Sequence, residues 1–478
     1  MYPHTENQLE FFLPFGGKLN PDNRWVKLAK VIPWAEFETK YSKSLKGSGD
    51  GPPAKSVRVA LGALIIKERL GTSDRETVEQ IRENPYLQYF LGFKEYSEKV
   101  PFHPTMFVHF RKRATKDMIV EINDAIALKS PSEKHERSKD DSDDNDDAPK
   151  NNGKLLIDAS CTPADITFPT DLKLLNKARE KSEEIIDALH VPHIGIRKKP
   201  RTYRRQARKN FLSAAKSKRL PKGKKRKAIR KQLGYLNRNL KTIKSLSEEK
   251  YSLFSLDKTQ YKNLLVINEV LRQQKWMHEN HENKIKDRIV SVSQPHVRPI
   301  KRGKAGASTE FGAKISASLV DGYCFLDRLG WDNYNESGDL IAQIHSYKTR
   351  FGFYPSSVHA DKIYRNRKNI KFCKKHGIRL SGPPLGRPPK DRSKRMVSRK
   401  QARQDEIDRI PIEGKFGQGK RRFSLSRIMC KLSQTSETAI AVVFLVMNLE
   451  KLLRVGLLYF FACFWMGFIP KKMDKIVI

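Results

Sequence analysis

Between residues 197 and 231 the chain carries 18 lysines or arginines and not one acid. No core accepts such a segment, because burying an unpaired ammonium or guanidinium costs more than its methylenes return. It must lie on a surface. Eighteen like charges repel one another unless they are paired, so the run is either a solvated charged face or a contact for a polyanion. The whole chain leans the same way: 94 lysines and arginines against 53 acids leave a formal net charge of +41. Each phosphate met by a Lys or Arg releases a condensed counterion, which makes nucleic acid the natural counterpart. Charge alone does not separate DNA from RNA or from an anionic membrane surface. Within the run, Lys198, Lys199, Arg201, Arg204 and Arg205, and then Lys224, Lys225, Arg226 and Lys227, are the candidate backbone contacts, with Tyr203 and Phe211 placed to pack among them.

At 478 residues, 38% of them hydrophobic, the chain has material for two or three domains. Residues 1–130 read as an all-α region. The apolar positions Val57, Val59, Leu61, Leu64, Ile65 and Ile66 predict a largely buried helix closed by Gly71. Ser73 and Glu76 form a capping-box pattern, Asn84-Pro85 opens a third helix, and a fourth is expected from Met106 through Ile126 with Arg111, Lys112 and Arg113 near its start. Short helices with a basic one last fit a DNA reader, and equally a dimerisation scaffold. Residues 131–152 read as an acidic disordered linker, with six aspartates between 140 and 147. A mixed α/β domain is expected over 153–454, interrupted by a basic helical insertion over 165–300, because strand chemistry resumes after it. Asp321-Gly322 between two alternating runs predicts a hairpin.

The apolar run from Val455 to Ile469, within a tail of 455–478, is shorter than the roughly 18 residues of a membrane span. It reads as a buried or partner-facing helix, with membrane association as the alternative. The N-terminus lacks a cationic stretch leading into an apolar one, so a reducing cytoplasm is the expected location. Five scattered cysteines indicate neither a zinc ribbon nor a disulfide framework.

Three acids are the candidates for chemistry. Asp158 follows Leu155-Leu156-Ile157 and Asp361 follows Val358-His359-Ala360, so each is expected at the carboxyl end of a strand, where open α/β sheets place their sites. Glu413 is expected just inside a helix start. Oxygen ligands of this kind suit two magnesium ions, which would clamp the attacking and leaving oxygens of a phosphodiester. By residue type alone the assignment is weak, since a strand-end aspartate is commonly a turn former or cap. His345, His359 and His376 read as structural, although His359 would share a strand face with Asp361. The stretch from Gly414 to Lys420 fits the first seven positions of a phosphate-binding loop, but Arg421 stands where Ser or Thr would hold magnesium. Leu385-Gly-Arg-Pro-Pro-Lys390 is either a minor-groove arm or a plain connector.

The segments LLIDASCTPADITFPTDLKLLNKAREKSEEIIDALH, FGFYPSSVHADKIYRNRKNIKFCKKHGIRLSGPPLGRPP and RIPIEGKFGQGKRRFSLSRIMCKL resemble the three acidic blocks of the DDE transposases of bacterial insertion sequences. The likeness is to the IS5 group, in its branch with a long basic insertion after the first Asp. A related Tyr-x2-Arg-x3-Glu-x6-Lys signature maps onto Arg409, Glu413 and Lys420, with Glu406 standing where the tyrosine would be. The resemblance implies an RNase H-like fold, with Asp158, Asp361 and Glu413 as catalytic metal ligands for Mg2+ or Mn2+ in a two-ion site. It also implies cleavage at the element's ends, strand transfer into target DNA, no ATP, double-stranded DNA as partner, a homodimer and a nucleoid-associated location. Arg409 and Lys420 would contact phosphate. Two rival readings stay open: an inactive DNA-binding relic, and a hydrolytic nuclease of the same fold.

Overall fold

Helix ends in the N-terminal third follow local chemistry. The computed structural model describes residues 14–45, 53–129, 151–196, 198–217, 219–248, 252–301, 309–383, 385–386 and 391–465. Helices α1 (Arg24–Val31), α2 (Trp34–Lys43), α3 (Val57–Leu70), α4 (Asp74–Glu83) and α5 (Pro85–Phe90) come first. Gly71 ends α3 at φ 69°, which glycine adopts without a Cβ clash. Ser73 accepts from the Glu76 N–H at the head of α4, and Asn84 caps α5 with Pro85 in its first position. The single helix expected over 106–126 is instead two, α6 (Met106–Arg113) and α7 (Lys116–Lys129). At the break Thr115 Oγ1 accepts from the Met118 N–H, so a local cap overrides a continuous apolar period.

Two compact units emerge, Met1–Pro163 with Lys314–Gly330 and Tyr334–Ile478 in one, and Ala164–Ala313 with Trp331–Asn333 in the other. The helical N-terminal region therefore shares a unit with most of the sheet. The expected acidic linker lies almost wholly outside the described residues.

The second unit is built on α8 (Asp171–His190), α9 (Arg204–Ala215), α10 (Lys222–Ser247) and α11 (Lys258–Glu279). Leu175, Ile186, Leu236, Ile243, Ile267 and Val270 meet at helical spacing in its core. Asp257 and Gln260 complete a reciprocal capping box at the start of α11.

The strands are β1 (Lys154–Pro163), β2 (Arg298–Lys301), β3 (Thr309–Val320), β4 (Tyr323–Gly330), β5 (Ser357–His359) and β6 (Arg379–Leu380). Strands β3, β1, β5 and β6 lie side by side in that order, and β4 pairs with β3. In the second unit, β2 pairs antiparallel with the start of β3. The β3–β4 pair is the expected hairpin, antiparallel, with Asp321 and Gly322 both at positive φ, 47° and 78°. Both β1–β5 and β5–β6 are parallel. Helices α12 (Leu340–Phe351) and α13 (Arg367–Lys375) supply the crossovers that parallel strands require. Leu155, Ile157 and Val358 point into one core with Leu340, Ile344 and Tyr347. Alternation sends Leu156, Asp158 and His359 to the opposite face.

That face is covered by α14 (Arg392–Arg421), a helix of 30 residues that packs on β1 and β5. Glu413 is thus deep within a helix rather than near its start. Pro411 lacks the N–H that would bond the Ile407 carbonyl, and the sequence around it reads as a boundary for that reason. Long polar side chains and anchored acids carry the helix past it. The same helix runs through Gly414–Lys420, which excludes a phosphate-binding loop there. Gly419 admits Leu425, whose Cδ1 would stand 2.6 Å from an added Cβ. Of the candidate groove arm, residues 387–390 lie outside the described set.

Helix α15 (Ser433–Trp465) enters the expected apolar tail without interruption, and its side chains are described to Val455. Among the described residues no helix is long and apolar enough to cross a membrane. Asn448 of α15 donates to Asn123 Oδ1 and to the Cys324 carbonyl, each at 2.8 Å, and accepts from the Cys324 N–H at 2.9 Å. This buried knot fastens α7, β4 and α15 together. Replacing Asn448 by Leu leaves the Cys324 N–H and Asn123 without their partner, and should lower unfolding free energy by about 3 kcal/mol in urea titration. An unchanged midpoint would show that the knot adds no stability.

Candidate active site

Strand register brings the segments that carry the two aspartates next to each other. Leu156 of β1 is the Cα partner of His359 of β5 in a parallel pair, the last pair of that register. Asp158 and Asp361 each follow two residues later in their segments. Asp158 lies in the middle of β1, not at its end, because Ala159-Ser-Cys-Thr continues the extended chain and β3 supplies its bonding partner. Asp361 follows β5 directly, extended at φ −67°, ψ 159°, and accepts from the Lys362 N–H at 2.6 Å.

The third acid comes from α14. Arg409 and Glu413 are one turn apart, with Arg409 Nη2 2.7 Å from Glu413 Oε1 and Arg409 Nη1 4.0 Å from Asp158 Oδ2. Arg409 therefore bridges two of the three candidate carboxylates. Burial raises the Asp158 carboxyl to about 6; the Ala159 N–H and Arg409 pull it down, and Glu336 and Glu413 push it further up. Lys420 lies seven residues beyond Glu413, two turns along the same helix.

Glu336 escaped sequence reasoning. It stands in a short turn after β4 and pairs with Lys314 Nζ at 2.7 Å, yet is near enough to bear on Asp158. Only its position three residues before Asp339, in a stretch of caps, marks it in the sequence. His359 is fully buried, 3.0 Å from Ser357 Oγ, with Nδ1 3.8 Å from Asp405 and 3.9 Å from Asp408. Burial, aided by Arg379, lowers its pKa, so it is a neutral packing group behind Asp361.

The cationic candidates divide. Arg111 is buried and bound to Asp74 at 2.7 Å, which removes it from the solvent-facing set. Arg113 is half-buried near Tyr41, and Lys112 is exposed. In the second unit Lys198, Lys199, Arg201, Arg205, Lys224, Lys225 and Lys227 are exposed. Arg204 forks onto Asp187 at 2.7 and 3.1 Å, and Lys199 shares that carboxylate at 2.8 Å. Arg226 donates to the His278 carbonyl at 2.9 Å and to His281. The run lacks acids of its own, but α8 lends it one.

Comparison with known proteins bears on two segments of the chain. Residues 358–450, which include Asp361, Arg409, Glu413 and Lys420, match the family described as "Transposase DDE domain". Residues 14–113 match "Transposase domain (DUF772)". A protein of Rhizobium meliloti, "Uncharacterized protein ORF8 in nfe locus", is 30% identical over 163 residues, 34% of this chain and 71% of that protein. No solved structure matches. Two segments of the chain thus match transposase domains, which indicates a transposase of the insertion-sequence kind.

Asp158 makes the site testable by pH. Its carboxyl is higher in the fold than the ordinary 3.8, so the folded state holds the proton more tightly. That advantage is complete below about pH 4 and is lost as pH rises through 6. Asp158→Asn should therefore raise unfolding free energy by up to about 3 kcal/mol at pH 8 and change it little at pH 4. An equal effect at both pH values would show that Asp158 is not held at a raised pKa.

Proposed function

We propose that this transposase cleaves DNA at the ends of an insertion sequence and joins the freed 3′ hydroxyl to target DNA, using Asp158, Asp361 and Glu413. The observation that supports the reading is the meeting of neighbouring elements: Asp158 on β1, Asp361 directly after β5, its parallel neighbour, and Glu413 tied to Asp158 through Arg409. Strand order β3-β1-β5-β6, with β4 antiparallel on β3, supports an RNase H-like domain into which the basic helical unit is inserted. The long insertion after the first aspartate favours the IS5 group.

Among the described residues no three carboxylates, histidines or cysteines stand close enough to share one metal ion. The donor chemistry nonetheless suits a hard cation. All three candidates offer oxygen, and among the described residues the half-buried Asp158 carboxylate has an adjacent N–H and an arginine at 4.0 Å to balance it. Mg2+ or Mn2+ held by Asp158, Asp361 and Glu413 would supply positive charge to a phosphodiester undergoing in-line displacement. Arg409 and Lys420 would bind the phosphate flanking the scissile bond. Exposed cations of the second unit and Lys112 would hold the DNA backbone, and paired ends would call for a homodimer.

Asp158→Ala, Asp361→Ala and Glu413→Ala should each abolish divalent-metal-dependent cleavage of a plasmid carrying the element's ends while DNA binding by gel shift persists. Cleavage retained in any one variant would remove that residue from the site. Strand cleavage without joined products in the unaltered protein would favour a nuclease over a transposase.

A further inference from the structure

Helix α10 differs from its long bundle partners α8 and α11 in one respect: its 26 residues contain ten lysines or arginines and no acid. Its partner α11 carries Arg272 on Glu269 at 2.6 Å and Lys275 on Glu279 at 3.9 Å, the ordinary way a helix balances its exposed face. Core positions on α10 are Leu233, Leu236, Leu240, Ile243 and Leu246. Helical geometry then puts Lys227, Arg230, Lys231, Gly234, Arg238 and Lys241 along the crest opposite the core, and all six are exposed. Lys227, Arg230 and Lys231 belong to the acid-free run that drew notice in the sequence, and Arg238 and Lys241 extend it.

No ion pair among the described residues engages the crest cations. Instead, Arg238 and Arg201 both lie over the Tyr203 ring, each 4.6 Å from its centroid. Tyr203 holds a left-handed backbone, φ 54°, uncommon for an aromatic residue. Two guanidiniums on one ring repel each other, and an anion between them relieves the repulsion. Gly234 points the same way. It interrupts a helix at a cost of about 1 kcal/mol, and nothing lies within 4 Å of where its Cβ would stand, so packing does not call for it. A bare position at the middle of the crest does permit a bulky partner to approach the helix backbone.

We infer that the α10 crest is a phosphate track for duplex DNA read without regard to sequence, the property required of a target duplex. The inference rests on the proposed transposase function for its biological meaning, although not for its test. From Lys227 to Lys241 the crest runs about 21 Å, the axial length of roughly six steps of duplex at 3.4 Å each. Five cations over that length approach the roughly six phosphates of one strand. The crest carries no carboxylate, and its one exposed amide, Asn237, sits at its edge among five cations, so charge outweighs base-edge readout along it.

The test is the salt dependence of binding by the full-length protein to a random-sequence duplex. Combining Arg230→Gln, Lys231→Gln, Arg238→Gln and Lys241→Gln should flatten the slope of log K against log salt by about 0.9 per lost contact, up to about 3.6. Lys258→Gln with Lys262→Gln on α11 is the control, compared per charge removed, and should leave the slope unchanged. Gly234→Glu, which improves helix propensity, should weaken binding while the fold stays at least as stable. An unchanged slope in the fourfold variant, an equal loss per charge in the control, a loss confined to one DNA sequence, or stronger competition by an RNA hairpin than by duplex DNA would each overturn the inference. Binding needs no catalysis. A protein that binds as expected but never cleaves would count against the proposed function and leave the track standing.

Discussion

The position of α14 on the sheet decides whether there is a site at all. Two charge contacts fix it: Lys154 of β1 meets Asp408 at 2.9 Å, and Arg379 of β6 meets Asp405 at 2.8 Å. Burial opposes ionisation of Asp405, but Arg379, the Gly382 N–H and Gln401 outweigh it and hold the carboxyl below its usual range. Asp408 is likewise held low, chiefly by Lys154. Exposed pairs contribute little, and Lys154 is largely exposed. Asp405 is buried, so removing Arg379 would strand a charge at a cost of roughly 3–5 kcal/mol. On the same helix Arg409 follows Asp408 directly, and Glu413 stands one turn beyond it. The anchoring acids thus convert strand register into the placement of a carboxylate from a helix.

The same arrangement shows what local sequence can and cannot reveal. Gly71, Asn84-Pro85 and Asp321-Gly322 act through backbone preferences a few residues wide, and the structure follows them. The expected end of β1 at Asp158 fails because a strand's length depends on the partner available, here β3, from 150 residues away. The expected start of a helix near Glu413 fails because Pro411 is a real local signal outweighed by distant anchors on β1 and β6. Arg111 looked like a free cation because its partner, Asp74, lies on another helix. Asp158, Asp361 and Glu413 could be named from family likeness, but Glu336 could not, since only folding brings it near Asp158.

A concentration of acids around Asp158 works against the fold. Burial and two neighbouring glutamates push its carboxyl toward the neutral form, and Arg409 answers only in part, from 4.0 Å. The burial of Leu155 and Ile157 on the other face of β1 fixes the strand regardless. The rigid strand thus carries an under-compensated carboxylate, with Arg409 shared between it and Glu413.

The second unit poses the same conflict on a larger scale. Ten cations on α10 repel along a helix whose formation depends on burying Leu236, Ile243 and their neighbours against α8 and α11. The two faces of that helix make opposite demands, and the core must win for the unit to fold alone. Asp187 of α8 relieves part of the strain by taking Arg204 and Lys199, but it serves the approach to α9 and not the crest. Whatever neutralises the crest therefore stabilises the fold as well as binding to it, and by linkage the folded unit favours that polyanion in equal measure. A helix with acids interspersed would be the more stable choice for a scaffold; leaving them out has a physical purpose only if a partner supplies the missing charge.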